Sequence, residues 1–151
     1  MWSAGISGKL WSWFKSYLSD RSQYVVINNQ PSNLLPVLSG VPQGSILGPL
    51  LFLIYINDIF HINIHSSLLT FANDTKCFGH IASCSDQQLL QHDIDLLLDW
   101  SSRSFLCFNP TKCVHISFRA QRNTLYHLNE QEIPKLDSHR DLGVIISNDL
   151  S

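Results

Sequence analysis

Ser39-Gly40-Val41-Pro42-Gln43-Gly44-Ser45-Ile46-Leu47-Gly48-Pro49-Leu50-Leu51-Phe52-Leu53-Ile54-Tyr55-Ile56-Asn57-Asp58 is the stretch whose reading decides the fold. A Gly-rich turn runs straight into an apolar segment. Ser45 is suited to an N-cap, and Pro49, with no N–H to donate, is tolerated only near a helix start. The segment therefore predicts a helix from about Leu47 to Phe60, with Leu50, Leu51, Ile54 and Tyr55 on one broad apolar stripe. Thirteen residues after Asp58 the chain reads Phe71-Ala72-Asn73-Asp74. Leu68 to Phe71 and Lys76 to Phe78 flank Ala72 to Thr75, a pattern that predicts a tight hairpin with polar groups at its tip.

The remaining elements extend outward from these two. Ile6, Leu10, Phe14 and Leu18 recur at helical spacing and predict an amphipathic helix from Gly8 to Ser19. Tyr24 to Ile27 and Leu34 to Leu38 form an antiparallel pair around Asn28-Asn29 and lead into the Gly40 to Gly44 turn. Ser85 with Gln88 gives a capping-box signature for a helix reaching Ser104. After the Asn109-Pro110 turn, Val114, Ile116 and Phe118 alternate with polar neighbours as in a half-buried strand. Leu125 to Ile133 reads as a hairpin broken at Asn129-Glu130, and Leu142 to Ile146 as a last short strand.

With 151 residues, 44% of them apolar and 15% charged, the chain fits one domain with a real core and is not disordered. A net charge of −2 provides no basic footprint of the kind a self-sufficient nucleic-acid binder carries. The longest apolar run, Ile46 to Ile56, contains Gly48 and Pro49 and falls short of the roughly 20 residues that cross a bilayer, so no membrane partner is expected. The start of the chain lacks a secretory signal, which predicts an intracellular location. Cys77, Cys84, Cys107 and Cys113 show no Cys-x-x-Cys spacing and read as reduced, mostly buried thiols. A zinc site from Cys107, Cys113 and His115 is the alternative, although its spacing matches no standard pattern. The tryptophans Trp2, Trp11, Trp13 and Trp100 are expected to pack in cores or interfaces.

Taken in order, the Gly-Val-Pro-Gln-Gly turn with its helix and the Phe-Ala-Asn-Asp tip resemble two consecutive motifs of the reverse transcriptases of non-LTR (LINE-type) retrotransposons. Further stretches resemble the same family over almost the whole chain, so residues 1–151 are identified as a single partial reverse transcriptase domain from the palm region. The resemblance implies an α/β fold of α+β type, a palm-like small antiparallel sheet backed by helices, incomplete here. The implied activity is RNA-directed DNA polymerisation on an RNA template and a DNA primer, with Mg²⁺ or Mn²⁺ as cofactor. By resemblance Gln43 and Gly44 lie against the nascent base pair, and Lys112 stabilises the leaving pyrophosphate. Leu142, Gly143 and Val144 form the primer grip, and Asp74 holds metal.

Asn73 stands where the family has the first, metal-bridging aspartate. Two divalent ions about 3.5–4 Å apart stabilise the attacking and leaving oxygens of the in-line displacement, and they need clustered carboxylates. Loss of one negative charge about 4 Å from a divalent ion removes on the order of 8 kcal/mol at an effective dielectric near 20, before desolvation and relaxation. The family's other catalytic aspartate lies on an upstream strand, and Asp20, the only acidic residue before Arg21, reads as a helix end. The expectation is therefore a chain inactive by itself, lacking its upstream strand, fingers and thumb. The alternative is a non-catalytic nucleic-acid or protein interaction module built around Gln43, Gly44 and Lys112. Asn73-Asp74 can also be an ordinary hairpin turn, since both residue types tolerate positive φ, and Lys112 can be a solvated charge.

Overall fold

A computed structural model describes residues 5–118 and 124–149. The chain divides after Asp58 into two compact units. The first begins with α1 (Gly8–Leu18), whose side-chain spacing buries Phe14. The helix ends at the extended Ser19, and Asp20, with φ of 53°, turns the chain into a long hairpin. Four two-residue strands make it: β1 (Ser22–Gln23) pairs with β4 (Leu35–Pro36), and β2 (Val26–Ile27) with β3 (Gln30–Pro31). Bonds from Ser32 N–H to the Val25 carbonyl and from Val37 N–H to the Arg21 carbonyl, both 2.8 Å, bridge the gaps between the ladders. Asn28 and Asn29 both have positive φ, as a two-residue turn matched to strand twist requires.

The Gly-rich turn then feeds α2 (Leu47–Ile56), and a 3-10 turn follows over Asn57–His61. Ser45 caps α2 as expected, its Oγ accepting the Gly48 N–H at 2.9 Å. The helix is one turn shorter in α-form than the sequence pattern predicts, because the chain tightens to 3-10 geometry after Ile56. Among the described residues no helix is long and apolar enough to cross a membrane.

In the second unit β5 (Ser67–Phe71) pairs antiparallel with β6 (Asp74–Phe78), Phe71 opposite Asp74. α3 (Cys84–Ser104) is the longest element, and its capping box is Ser83 with Asp86, not Ser85 with Gln88. The Ser83 Oγ accepts the Asp86 N–H at 3.2 Å, while the Asp86 carboxylate accepts the Ser83 N–H at 2.7 Å. A carboxylate three residues after the serine serves as well as the expected glutamine, and it also complements the helix dipole. The Ser83 hydroxyl, donating to the same carboxylate at 2.8 Å, foremost holds the Asp86 carboxyl below the usual range, with the Ser83 N–H beside it.

β7 (His127–Leu128) and β8 (Gln131–Glu132) form the hairpin expected around Asn129-Glu130. Its residues Tyr126, Leu128 and Ile133 make a core against Leu90, Ile94 and Leu98 of α3, with Phe108 and Cys113. α3 also fastens β7 through Gln91, whose amide accepts the His127 N–H at 2.8 Å and donates to the His127 carbonyl at 2.9 Å. β9 (Ser138–Asp141) and β10 (Val144–Ser147) are the last pair.

The mixed helix and antiparallel strand class is as expected, but among the described residues the strands form five separate two-stranded ladders instead of one sheet. The strand expected over Val114 to Phe118 is absent: His115 makes an isolated parallel bridge with Lys135, and no ladder follows. Leu142 and Gly143 are a turn, not strand, because β9 pairs back on β10 and leaves them as the two loop residues. Cys84 and Cys107 are exposed, whereas Cys77 and Cys113 are half-buried, so only two of the four thiols pack inside. Trp100 is buried and Trp13 half exposed; Trp2 lies outside the described residues.

Candidate nucleotidyl-transfer site

The β5–β6 hairpin closes in a two-residue turn, Ala72-Asn73, and Asp74 is already the first residue of β6. The positive φ of this turn, 51°, falls on Ala72 and not on Asn73. An alanine in that region costs roughly 1–2 kcal/mol, and an asparagine there would relieve it. Asn73, the second turn residue, needs no positive φ, and asparagine is common at that position of such hairpin turns. Asn73 and Asp74 are both exposed at the tip.

The start of this hairpin is fixed from α3. Asp93 is fully buried, and its carboxylate accepts the His65 N–H at 3.0 Å and the Ser66 N–H at 2.7 Å. The exposed His65 ring also approaches it, Nδ1 lying 3.4 Å away. Burial pushes the Asp93 carboxyl upward, but the hydrogen bonds from Ser66 and His65 outweigh it and leave the group below the ordinary range. The opposite strand is tied as well: Lys76 of β6 forms an ion pair with Asp141 of β9. That pair joins the hairpin bearing Asn73 and Asp74 to the one whose turn is Leu142-Gly143. Gly143 has φ of 87°, a conformation natural to glycine.

Lys112 ends a 3-10 turn, Pro110–Lys112, and its side chain is exposed. Asn109 shapes this turn by accepting the Thr111 N–H at 3.1 Å and its hydroxyl at 2.7 Å. In the first unit, Gln43 and Gly44 are exposed within the Gly-rich turn. Gly44 has φ of 78°, and a Cβ there would meet nothing within 4 Å. The glycine is required by conformation, and the space beside it is open to a close approach.

The reverse transcriptase (RNA-dependent DNA polymerase) family matches residues 2–146 of this sequence. The chain belongs to that family. It is similar to the RNA-directed DNA polymerase from mobile element jockey of Drosophila melanogaster, 27% identical over 91% of this chain and 16% of the relative. It is 30% identical to a probable RNA-directed DNA polymerase from transposon X-element of the same species, again over 91% of this chain and 16% of the relative. A third relative, from transposon BS, is 33% identical over 69% of this chain and 12% of its own length. The chain thus spans 16% or less of the length of these three relatives. No solved structure matches it.

Within this reverse transcriptase segment, the zinc alternative fails. Among the described residues no group of three His, Cys, Asp or Glu side chains comes together. Cys113 instead donates to the Asn109 carbonyl at 3.3 Å, and His115 Nδ1 lies 3.2 Å from the Ile133 carbonyl. Burial holds the His115 imidazole below its usual pKa, and its Nε2 is buried without a hydrogen-bond partner.

Four residues that support these segments escaped the sequence reading. Asp93 carries a legible signal, because a carboxylate at this position interrupts the apolar spacing of Leu90, Ile94 and Leu97. Lys76 with Asp141, 65 residues apart, and Arg21, which reaches the Gly-rich turn, have none. Their partners are set by tertiary structure.

Proposed function

We propose that this chain is the palm portion of a non-LTR retrotransposon's RNA-directed DNA polymerase, with a degenerate metal-holding tip. Gln43 and Gly44 would lie against the template and incoming nucleotide, and Leu142, Gly143 and Val144 against the primer end. Lys112 would donate to the leaving pyrophosphate. The observation that carries this reading is the β5–β6 hairpin, which presents Asn73 and Asp74, both exposed, at its tip.

The metal that the family implies does not fit the donors of this chain. Mg²⁺ requires hard oxygen ligands, and a two-ion site requires several carboxylates. The tip offers one carboxylate, Asp74, and one neutral amide oxygen, Asn73, and no third acidic, His or Cys side chain joins them among the described residues. The chain's own contribution is therefore to bind and orient nucleic acid, and by itself it does not polymerise.

Mn²⁺ binding and template-dependent nucleotide incorporation test this on the purified chain, on Asn73→Asp and on Asp74→Asn. Asn73→Asp should tighten Mn²⁺ binding by at least about tenfold through the restored charge, and Asp74→Asn should weaken it below that of the unmutated chain. Incorporation by the unmutated chain in Mg²⁺ or Mn²⁺ would overturn its inactivity. Equal Mn²⁺ affinity in all three proteins would remove the tip from the metal position. Binding of a primer–template duplex should be detectable only at low salt and should weaken steeply as salt rises, with Lys112→Ala reducing it.

A further inference from the structure

Arg21 makes contacts that the reading above leaves unused. Its Nε donates to the Leu18 carbonyl at 3.0 Å, at the C-terminal end of α1. One terminal nitrogen donates to the Gly40 carbonyl and lies 3.5 Å from the Ser39 carbonyl. The backbone carbonyl of the same residue accepts the Val37 N–H at 2.8 Å, at the base of the long hairpin. One residue thus gathers the end of a helix, the base of a hairpin and the first peptides of the Gly-rich turn.

Arg21 thereby ties down the leading end of the turn, at Ser39 and Gly40. Gly40 and Gly44 both have φ of 78°, so neither peptide is restrained by a side chain of its own. Its trailing end is fixed by the Ser45 N–H donating to the Pro42 carbonyl at 3.3 Å and by the Ser45 cap on α2. Gln43 and Gly44 lie between these two anchors. The planar guanidinium serves three carbonyls in fixed directions, which an ammonium on a flexible stem does not reproduce.

We propose that Arg21 is the positioning residue of the Gly-rich turn, holding Gln43 and Gly44 in the orientation in which they meet nucleic acid. It touches neither template nor nucleotide. The functional half rests on the template reading of that turn, whereas the tether stands on geometry within the first unit.

Hydrogen exchange of the full chain, with binding of a fluorescent primer–template duplex at low salt, tests both halves. In Arg21→Ala the Ser45 amide, bonded to the Pro42 carbonyl within the turn, should exchange at least about tenfold faster, while those of the β2–β3 ladder keep their rates. Arg21→Lys should not restore the slow exchange. Arg21→Ala and Gln43→Ala should each weaken binding by about tenfold, and the double variant no further than either. Uniform acceleration throughout the first unit, or none, would overturn the positioning role even where Gln43→Ala weakens binding. Selective acceleration with unchanged binding in Gln43→Ala, or with no binding by the unmutated chain, would overturn the template reading and the functional half with it. Additive losses in the double variant would show that Arg21 acts on binding by another route and would also overturn the proposal.

Discussion

The Gly40–Gly44 turn and the base of the β5–β6 hairpin are held by opposite chemistry. At the first, the half-buried Arg21 cation gathers carbonyls. At the second, the fully buried Asp93 anion gathers the N–H groups that lead into β5. The difference in burial matters more than the difference in sign. Near the surface, a broken hydrogen bond is replaced by one to water and the loss is local. In the interior, two N–H groups and the space around them are left without a partner, and each orphaned group costs about 1–3 kcal/mol. The hairpin carrying Asn73 and Asp74 is therefore anchored at its base by the more rigid support, and the turn carrying Gln43 and Gly44 by the more adjustable one.

The largest expected effect is at Asp93. Asp93→Ala should lower the unfolding free energy by about 3 kcal/mol or more, because it removes charge-assisted bonds to two backbone donors. Urea titration with separate probes for the two units measures it, and a loss below about 1 kcal/mol would show that water replaces the carboxylate. A pH dependence goes with it. The folded pKa of Asp93 is depressed below the unfolded value of about 3.9. Its contribution is therefore fully present above that value and is lost as pH falls through the lower, folded one. In Asp93→Ala this part of the acid limb should vanish.

Gly48 offers a middle-sized test in the other region. It is buried in the first turn of α2, and a Cβ there would lie 3.2 Å from Ser45 Oγ and 3.3 Å from the Pro42 carbonyl oxygen. Both atoms belong to the anchor at the trailing end of the Gly-rich turn. Gly48→Ala should cost about 1–2 kcal/mol through crowding, against the gain in helix propensity that the same change gives in open space. It should also loosen the Ser45 cap, read as faster exchange of the Gly48 amide. A stabilised variant would mean that Pro42 and Ser45 yield freely, and that the trailing anchor is as adjustable as the leading one.

These two supports were unequally legible in the sequence. α1 and the body of α3 follow from helical periodicity, and α2 from its cap and apolar run, although of the stripe expected on α2 only Leu51 is buried while Leu50 and Tyr55 stay about half exposed. The β5–β6 and β7–β8 hairpins follow from turn residues between β-prone runs. The candidate site residues were legible as a motif order, which the family match bears out as a family and not as individual roles. What stayed hidden depends on distant partners. The Val114 to Phe118 alternation reads as a strand, yet His115 spends its backbone on Pro134 and Leu136, and nothing pairs with its neighbours in a ladder. The Ser83 box was hidden for a local reason: two serines, at 83 and 85, each stand three residues before a side chain that can close a box, and the helix takes the one ending in a carboxylate.

The smallest expected effect on stability comes from the long hairpin, and it sharpens the comparison from the other side. Val25, Val26 and Ile27 are all more than half exposed, Ile27 at 68%. Side chains so exposed gain little from folding, so Ile27→Lys should change the unfolding free energy by no more than about 0.5 kcal/mol. Its effect should fall instead on association, since a charged residue on an exposed, apolar, two-stranded ladder opposes edge-to-edge pairing. Light scattering after mild heating should show less aggregate for Ile27→Lys than for the unmutated chain at an equal urea midpoint. A midpoint shifted by more than about 1 kcal/mol would mean that this hairpin is covered in solution. The rigid support at Asp93 would then no longer be the feature that separates the two regions.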